Sequence, residues 1–119
     1  MKTKIRYANE IETQCFDWDS LTWYANAATG NSSEMTVGKC VIKPGAENPP
    51  HRHPNCVEVL VVLQGGIDHR VEEGAIVRLN SGDCISVPIN LPHNARNVFS
   101  EDAILLVTFS SADRQTIGE

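Results

Sequence analysis

Long apolar runs, a helical period and basic clusters are all lacking from this sequence of 119 residues. No apolar stretch approaches the roughly 20 residues of a membrane-spanning helix. The polar segment from Met1 to Phe16 also lacks the apolar centre of a secretory signal. We therefore expect a soluble, cytoplasmic protein with no membrane partner. The 10 basic and 15 acidic residues give a net charge of −5, so no nucleic-acid partner is expected, since that would need a basic patch.

The chain is too short to form several domains readily and too hydrophobic to be disordered. Chains well below roughly 150 residues rarely form several domains, and hydrophobic residues make up 41% of this one. Such a content is too high for a disordered chain. We expect a single domain over residues 1–119, ending in a polar tail at 110–119 that we expect to be loose.

The four cysteines form no Cys-x-x-Cys pair. Without a secretion signal, reduced thiols are favoured over disulfides. Cys40 and Cys84 fall within apolar runs, where a thiol behaves as a small hydrophobic group. Core packing is therefore expected for both, rather than redox chemistry.

Short strand-like runs alternate with turn-forming residues along the chain, and this pattern predicts an all-β sandwich or barrel. Glycine, proline and asparagine mark the turns because of their backbone preferences. The predicted strands are Ile5–Tyr7, Phe16–Tyr24, Met35–Ile42, Cys56–Gln64, Ile67–Val71, Ala75–Leu79, Cys84–Val87, His93–Val98 and Ala103–Phe109.

Two of these runs, Val57 to Leu63 and Ala103 to Val107, are apolar at nearly every position. A strand with one face in water would alternate between apolar and polar residues. Continuous apolarity indicates that both faces are covered. In a barrel the outer face would then need a second sheet or a partner subunit, so the pattern favours a homodimer.

Three of the four histidines fall in two short segments. His51 and His53 are two residues apart, so on a strand both side chains point to the same face. A pair of histidines with this spacing is either bound to a metal ion or simply exposed or hydrogen-bonded. His93 follows a proline-rich turn and could approach the pair from a neighbouring strand.

A carboxylate at the start of an apolar strand supports a metal site, which then becomes as well supported as a pair of histidines without a metal. Glu58 opens the run that continues to Leu63, and a buried carboxylate needs a partner. It lies five residues beyond His53, which on a regular strand places it on the opposite face. Pro54 and Asn55 offer a break that resets this alternation, because proline marks strand ends and bulges.

These residues match two motifs of the cupin superfamily, and the chain resembles a small single-domain member. The first motif, G-x5-H-x-H-x4-E-x6-G, is filled by Gly45, His51, His53, Glu58 and Gly65. The second, G-x5-P-x-G-x2-H-x3-N, is filled by Gly82, Pro88, His93 and Asn97. Asn90 replaces the middle glycine of the second motif, and we expect it to keep the turn because asparagine tolerates a positive φ. The motif core covers residues 45–97.

The resemblance implies a small antiparallel jelly-roll β-barrel. It also implies that His51, His53, Glu58 and His93 bind one divalent transition metal ion inside the barrel. A set of three histidines and one carboxylate suits Fe, Mn, Ni, Cu or Zn better than Ca or Mg.

We expect a metal-dependent enzyme that acts on a small organic substrate chelated to the metal, first of all a dioxygenase-type oxidoreductase. In that case Glu58 is also the candidate catalytic base. Redox-neutral relatives suggest an isomerase, lyase or cyclase instead. A non-catalytic metal- or ligand-binding module is the alternative from another class.

Several further residues carry weaker expectations. Trp18 and Trp23 are expected on opposite faces of one strand, so that only part of this aromatic set could line a pocket. His69 lies between Asp68 and Arg70 and is expected in solvent. Asn97 is expected to tie down backbone.

Overall fold

The computed structural model describes residues 2–119, and its regular structure consists almost entirely of antiparallel strands. The strands are β1 (Thr13–Phe16), β2 (Asp19–Ala25), β3 (Thr36–Ile42), β4 (His51–Arg52), β5 (Glu58–Gln64), β6 (Gly66–Arg70), β7 (Ile76–Asn80), β8 (Cys84–Val87), β9 (Ala95–Arg96), β10 (Ala103–Phe109) and β11 (Ile117–Gly118). Short 3-10 turns occupy Ala8–Glu10 and Glu72–Gly74. Within residues 2–119, no helix is long and apolar enough to span a membrane.

The strands form one large sheet and two small ones. The large sheet has the order β1-β2-β3-β10-β5-β8, and the small sheets have the orders β7-β6-β9 and β11-β4. Two isolated bridges, Glu47 with Arg96 and His51 with His93, link the small sheets to each other. This arrangement confirms the predicted jelly-roll fold.

The core lies between the large sheet and the small ones. Along β3 and β10 every second residue is buried, as expected for strands with one face on a core. Leu105 and Val107 of β10 pack in one cluster with Ile67 of β6 and Ala95 of β9. The inner face of the large sheet therefore forms one wall of the barrel, and the small sheets form the other.

One predicted strand is in fact a hairpin. We predicted a strand over Phe16–Tyr24, but β1 ends at Phe16, a turn follows, and β2 begins at Asp19. Trp18 lies in that turn and stacks on Phe16, with ring centroids 4.9 Å apart. We predicted that Trp18 and Trp23 lie on opposite faces of one strand. This prediction was wrong because a turn interrupts the alternation of faces between them.

The predicted strand Ile5–Tyr7 is absent, and His93–Val98 is reduced to Ala95–Arg96. The first segment is held by a side chain instead of a backbone ladder. Arg6 donates to the carbonyls of Trp23 and Tyr24 at 3.0 and 2.8 Å.

The polar tail is paired with the barrel, which corrects the expectation of a loose end. In the pairing of β11 with β4, Ile117 lies opposite Arg52 and Gly118 opposite His51. Asn55 strengthens this attachment, since its side chain donates to Asp113 O at 2.9 Å and accepts from Gln115 N at 3.0 Å. The tail thus becomes part of the wall around the barrel interior.

The cysteines are all free, as predicted. Cys40 and Cys56 are buried, and burial raises the pKa of Cys40 to about 12. Cys84 is exposed, so its expected role in core packing is wrong. It lies on β8, an edge strand of the large sheet, where its side chain points away from the core.

Candidate metal centre

The structure brings together the four residues of the predicted metal site. His51 lies on β4, His53 follows that strand, and Glu58 begins β5. His93 precedes β9, and its backbone N–H and C=O both bond with those of His51, at 2.8 and 3.0 Å. This two-stranded contact holds the two imidazoles beside each other, with ring centroids 4.4 Å apart.

The turn predicted at Pro54-Asn55 explains how Glu58 joins the histidines. Residues 54 and 55 form a turn between β4 and β5. Glu58 is buried, as are Leu60 and Val62, so the inward face of β5 includes the carboxylate. The break therefore resets the alternation as predicted.

The cluster is tight and buried. One candidate ligand atom from each residue lies within 4.8 Å of all the others. Glu58 Oε1 is 3.3 Å from His53 Nε2 and 3.5 Å from His93 Nε2. His53, Glu58 and His93 are each less than 5% exposed, so little water reaches these atoms.

Each imidazole is oriented by a partner for its Nδ1 atom. His51 Nδ1 lies 2.7 Å from Pro49 O, and His53 Nδ1 lies 3.0 Å from Gln115 O. A carbonyl only accepts, so both Nδ1 atoms carry the proton and both Nε2 atoms keep a lone pair for a ligand bond. Outer hydrogen bonds of this kind fix the rings of metal-binding histidines.

Three atoms of the cluster lack any hydrogen-bond partner within residues 2–119. These atoms are His53 Nε2, Glu58 Oε1 and His93 Nε2. Buried polar groups are almost always satisfied, and an exception requires an explanation. A cation between them would satisfy all three at once, so the residues fit a divalent transition metal ion.

The protonation states also suit a metal. Burial lowers the pKa of His93 to about 3 and lowers the pKa of His51 below its usual value. Burial raises the pKa of Glu58, but contact with His53 and with the other two histidines outweighs burial and lowers that pKa. Glu58 is then a carboxylate, and His51 and His93 are neutral imidazoles, which are the forms that bind metal ions.

The expectation that His69 lies in solvent is wrong. His69 is 1% exposed, and its Nε2 lies 3.2 Å from His93 Nδ1. On β6 the side chains of Ile67 and His69 share the buried face. The alternation of Ile67 and His69 around polar Asp68 was the sequence signal for this placement. His69 thus orients His93 as carbonyls orient the other two rings.

A cavity of about 310 Å³ opens beside the cluster. Trp18 and Trp23 both line it, together with the inward side chains of β10. Trp23 pairs with Gly38 across β2 and β3, and a Cβ at Gly38 would lie 2.5 Å from the Trp23 ring. Only glycine leaves room there for the indole to lie across β3.

Two curated proteins resemble the chain at about one third identity. Germin-like protein 3-5 of Oryza sativa subsp. japonica is 32% identical over 90 residues, which cover 68% of this chain and 39% of that protein. Oxalate oxidase GF-2.8 of Triticum aestivum is 30% identical over 90 residues, with the same coverage of 68% and 39%. The chain therefore spans about two fifths of the length of the curated relatives that it matches.

Comparison with solved structures supports the same fold. The crystal structure of oxalate decarboxylase from Lactobacillus farciminis in a formate complex matches 92% of this chain and 34% of that one, with a TM-score of 0.84 and 21% identity. The sequence profile of the family described as "Cupin domain" matches residues 38–109. That range is more than half of the chain and contains the four clustered residues. The protein belongs to the cupin domain family.

Proposed function

We propose that His51, His53, Glu58 and His93 hold one divalent transition metal ion and that the protein is a metal-dependent enzyme for a small organic substrate. The convergence of three unpartnered buried ligand atoms on one point supports this proposal most directly. The adjoining cavity of about 310 Å³ is at the lower end of the size of small-molecule sites.

A bound metal ion with four protein ligands would supply Lewis-acid chemistry and, for a redox-active ion, access to O2. The chain itself would supply the surroundings. The aromatic and aliphatic walls lower the polarity around the site, which strengthens the electrostatic interactions inside it. Glu58, ionised within the cluster, would accept the proton of a substrate hydroxyl as the catalytic base.

The substrate we propose first is a small organic acid. A relative at 30% identity is an oxalate oxidase, and oxalate combines two carboxylates that can chelate one ion. An oxidation that consumes O2 is therefore the leading reaction.

Oxygen uptake tests this proposal. The protein is reconstituted separately with Fe, Mn, Ni, Cu and Zn and given oxalate, 1,2-diketones, catechols and flavonols. We expect O2 uptake with at least one redox-active metal and none with Zn, which has no redox chemistry of its own. His53→Ala, which removes a ligand, should lose the uptake.

Other results would redirect the assignment. Loss of substrate without O2 uptake would favour the redox-neutral isomerase, lyase or cyclase. If no substrate is consumed with any metal, the result would contradict enzymatic activity and favour a binding module.

We also propose a homodimer formed through the outer face of the large sheet. Val61 of β5 pairs beside Leu106 of β10, both point away from the core, and Leu63 is 52% exposed. Light scattering should give about twice the 13.1 kDa of one chain. Leu63→Glu should give the monomer, whereas Ile76→Glu, equally exposed on β7, should not. A wild-type protein at the mass of one chain would exclude the dimer.

The cytoplasmic location stays a prediction, which fractionation of cells would test.

A further inference from the structure

Arg114 reaches the cavity from the tail segment that precedes β11. Its guanidinium carbon lies 4.4 Å from the ring centroid of Trp23 and 5.1 Å from that of Phe109. It also donates a hydrogen bond to the Thr116 hydroxyl. Contacts with two aromatic faces hold the guanidinium in place and leave its edge available.

The charge of Arg114 has no carboxylate partner. Within residues 2–119, every ion pair of an arginine involves Arg70 or Arg78. Of the five N–H donors of the Arg114 guanidinium, one, on Nη1, makes a hydrogen bond within residues 2–119, to the Thr116 hydroxyl. A half-buried arginine with free donors fits the carboxylate group, which it can bind with two parallel hydrogen bonds.

The cavity wall around Arg114 is mainly apolar. Among the described residues that line the cavity, Arg114 is the only lysine or arginine, and Glu58 is the only acid. The rest of the wall is mostly aromatic and aliphatic, including Trp18, Leu60 and Val107. An anion at Arg114 would therefore sit in a largely apolar space.

Arg114 and the ligand cluster line the same cavity. The Phe109 ring lies close to both, since its centroid is 4.9 Å from that of His53 and 5.1 Å from the Arg114 guanidinium carbon. A ligand as long as one aromatic ring can thus reach both Arg114 and the ligand cluster. Glu58 forms no ion pair with Arg114 within residues 2–119, because its carboxylate lies against the imidazoles. Burial lowers the pKa of Arg114, and the charge of Glu58 raises that pKa again in part.

We propose that Arg114 binds a carboxylate of the substrate, and that the substrate class is a short organic acid with an apolar middle. This assignment rests on the proposed function for the other end of the ligand, whose oxygens would go to the metal site. Oxalate lacks an apolar middle and would leave most of the cavity unfilled. Arg114 would thereby select the substrate by the charge at its far end.

The arginine site is tested first in the metal-free protein, where the proposed metal chemistry plays no part. Calorimetric titration compares hexanoate with hexan-1-ol. We expect the acid to bind at least about tenfold more tightly, since a hydrogen bond to a charged group contributes more than one between neutral groups. Arg114→Gln should bind the two compounds equally. The matched control, Arg96→Gln, removes the same charge from an exposed position outside the cavity and should keep the preference.

The full arrangement is tested with the zinc-loaded protein, in which no turnover is expected. The probes are 2-oxoadipate and 2-oxohexanoate, which share a chelating head and differ at the far end. Wild-type protein should prefer 2-oxoadipate at least about tenfold, and Arg114→Gln should lose this preference while its affinities for zinc and for 2-oxohexanoate stay unchanged.

Three results would overturn the proposal. The first is equal affinity of the wild-type protein for the acid and the alcohol. The second is a preference for the acid that is undiminished in Arg114→Gln. The third is an equal loss of affinity, in Arg114→Gln, for both compounds of a pair. The last would show that Arg114 only supports the wall formed by Trp23 and Phe109. Failure to bind zinc would instead contradict the proposed metal centre, and the metal-free titration would still decide the role of Arg114.

Discussion

Replacing His93 with alanine is expected to abolish stoichiometric metal binding. His93 Nε2 is one of three buried atoms that have no other partner in the described structure. Its removal leaves three ligands and an open space where the imidazole was. His53→Ala should have the same effect. The measurement is elemental analysis of each variant after loading with metal and exhaustive dialysis.

His69→Gln is the matched control for this experiment. The glutamine amide oxygen can accept a hydrogen bond from His93 Nδ1, which lies 3.2 Å from His69 Nε2 in the wild-type chain. We expect this variant to retain one metal ion per chain with affinity reduced by about tenfold to a hundredfold, as is typical for outer partners of metal ligands. Full metal content in His93→Ala or His53→Ala would show that the site is assigned wrongly.

Replacing Asn97 with alanine is expected to cause the largest loss of stability from a polar residue. Asn97 is fully buried, and its amide donates to Ile42 O and Glu101 O, each at 2.8 Å. Its side-chain oxygen accepts from Phe99 N at 2.9 Å. Alanine would remove three hydrogen bonds to the backbone, one of them buried and two part-buried, so we expect the free energy of unfolding to fall by about 3 kcal/mol.

Asn97→Asp sharpens this prediction, because it keeps the shape of the side chain and replaces the two donors by an acceptor. The carboxylate would face the carbonyls of Ile42 and Glu101, so the loss should be at least as large as for alanine. Urea unfolding measures the free energy of unfolding of both variants.

Asn90→Gly is the control, since it changes an exposed asparagine at φ +68° to the residue best suited to that angle. Its free energy of unfolding should stay within about 1 kcal/mol of wild type. A small loss in both Asn97 variants would refute this role.

Features that depend on neighbours along the chain were predictable. The strands Ala103–Phe109 and Cys84–Val87 have the predicted bounds, and Met35–Ile42 differs by one residue. The positive φ expected at Asn90 is present, and the break at Pro54-Asn55 turns Glu58 inward. Local backbone preferences and apolar alternation act within a few residues, so the sequence expresses them directly.

Contacts between distant segments were not predictable in this way. The attachment of the tail joins Ile117 to Arg52 across a long stretch of chain, and polar composition alone suggested a loose end. That same attachment supplies the Gln115 carbonyl for His53 and brings Arg114 to the cavity.

By itself the sequence indicated the β architecture and the turns, and its resemblance to the two cupin motifs singled out the four residues of the candidate metal centre. Only the tertiary structure decided what surrounds that centre. Trp18 lines the cavity because a hairpin turn interrupts its strand, and His69 supports His93 because the face of β6 that carries it is buried. The reason is physical: the choice of wall for a side chain depends on long-range strand pairing, which no local pattern encodes.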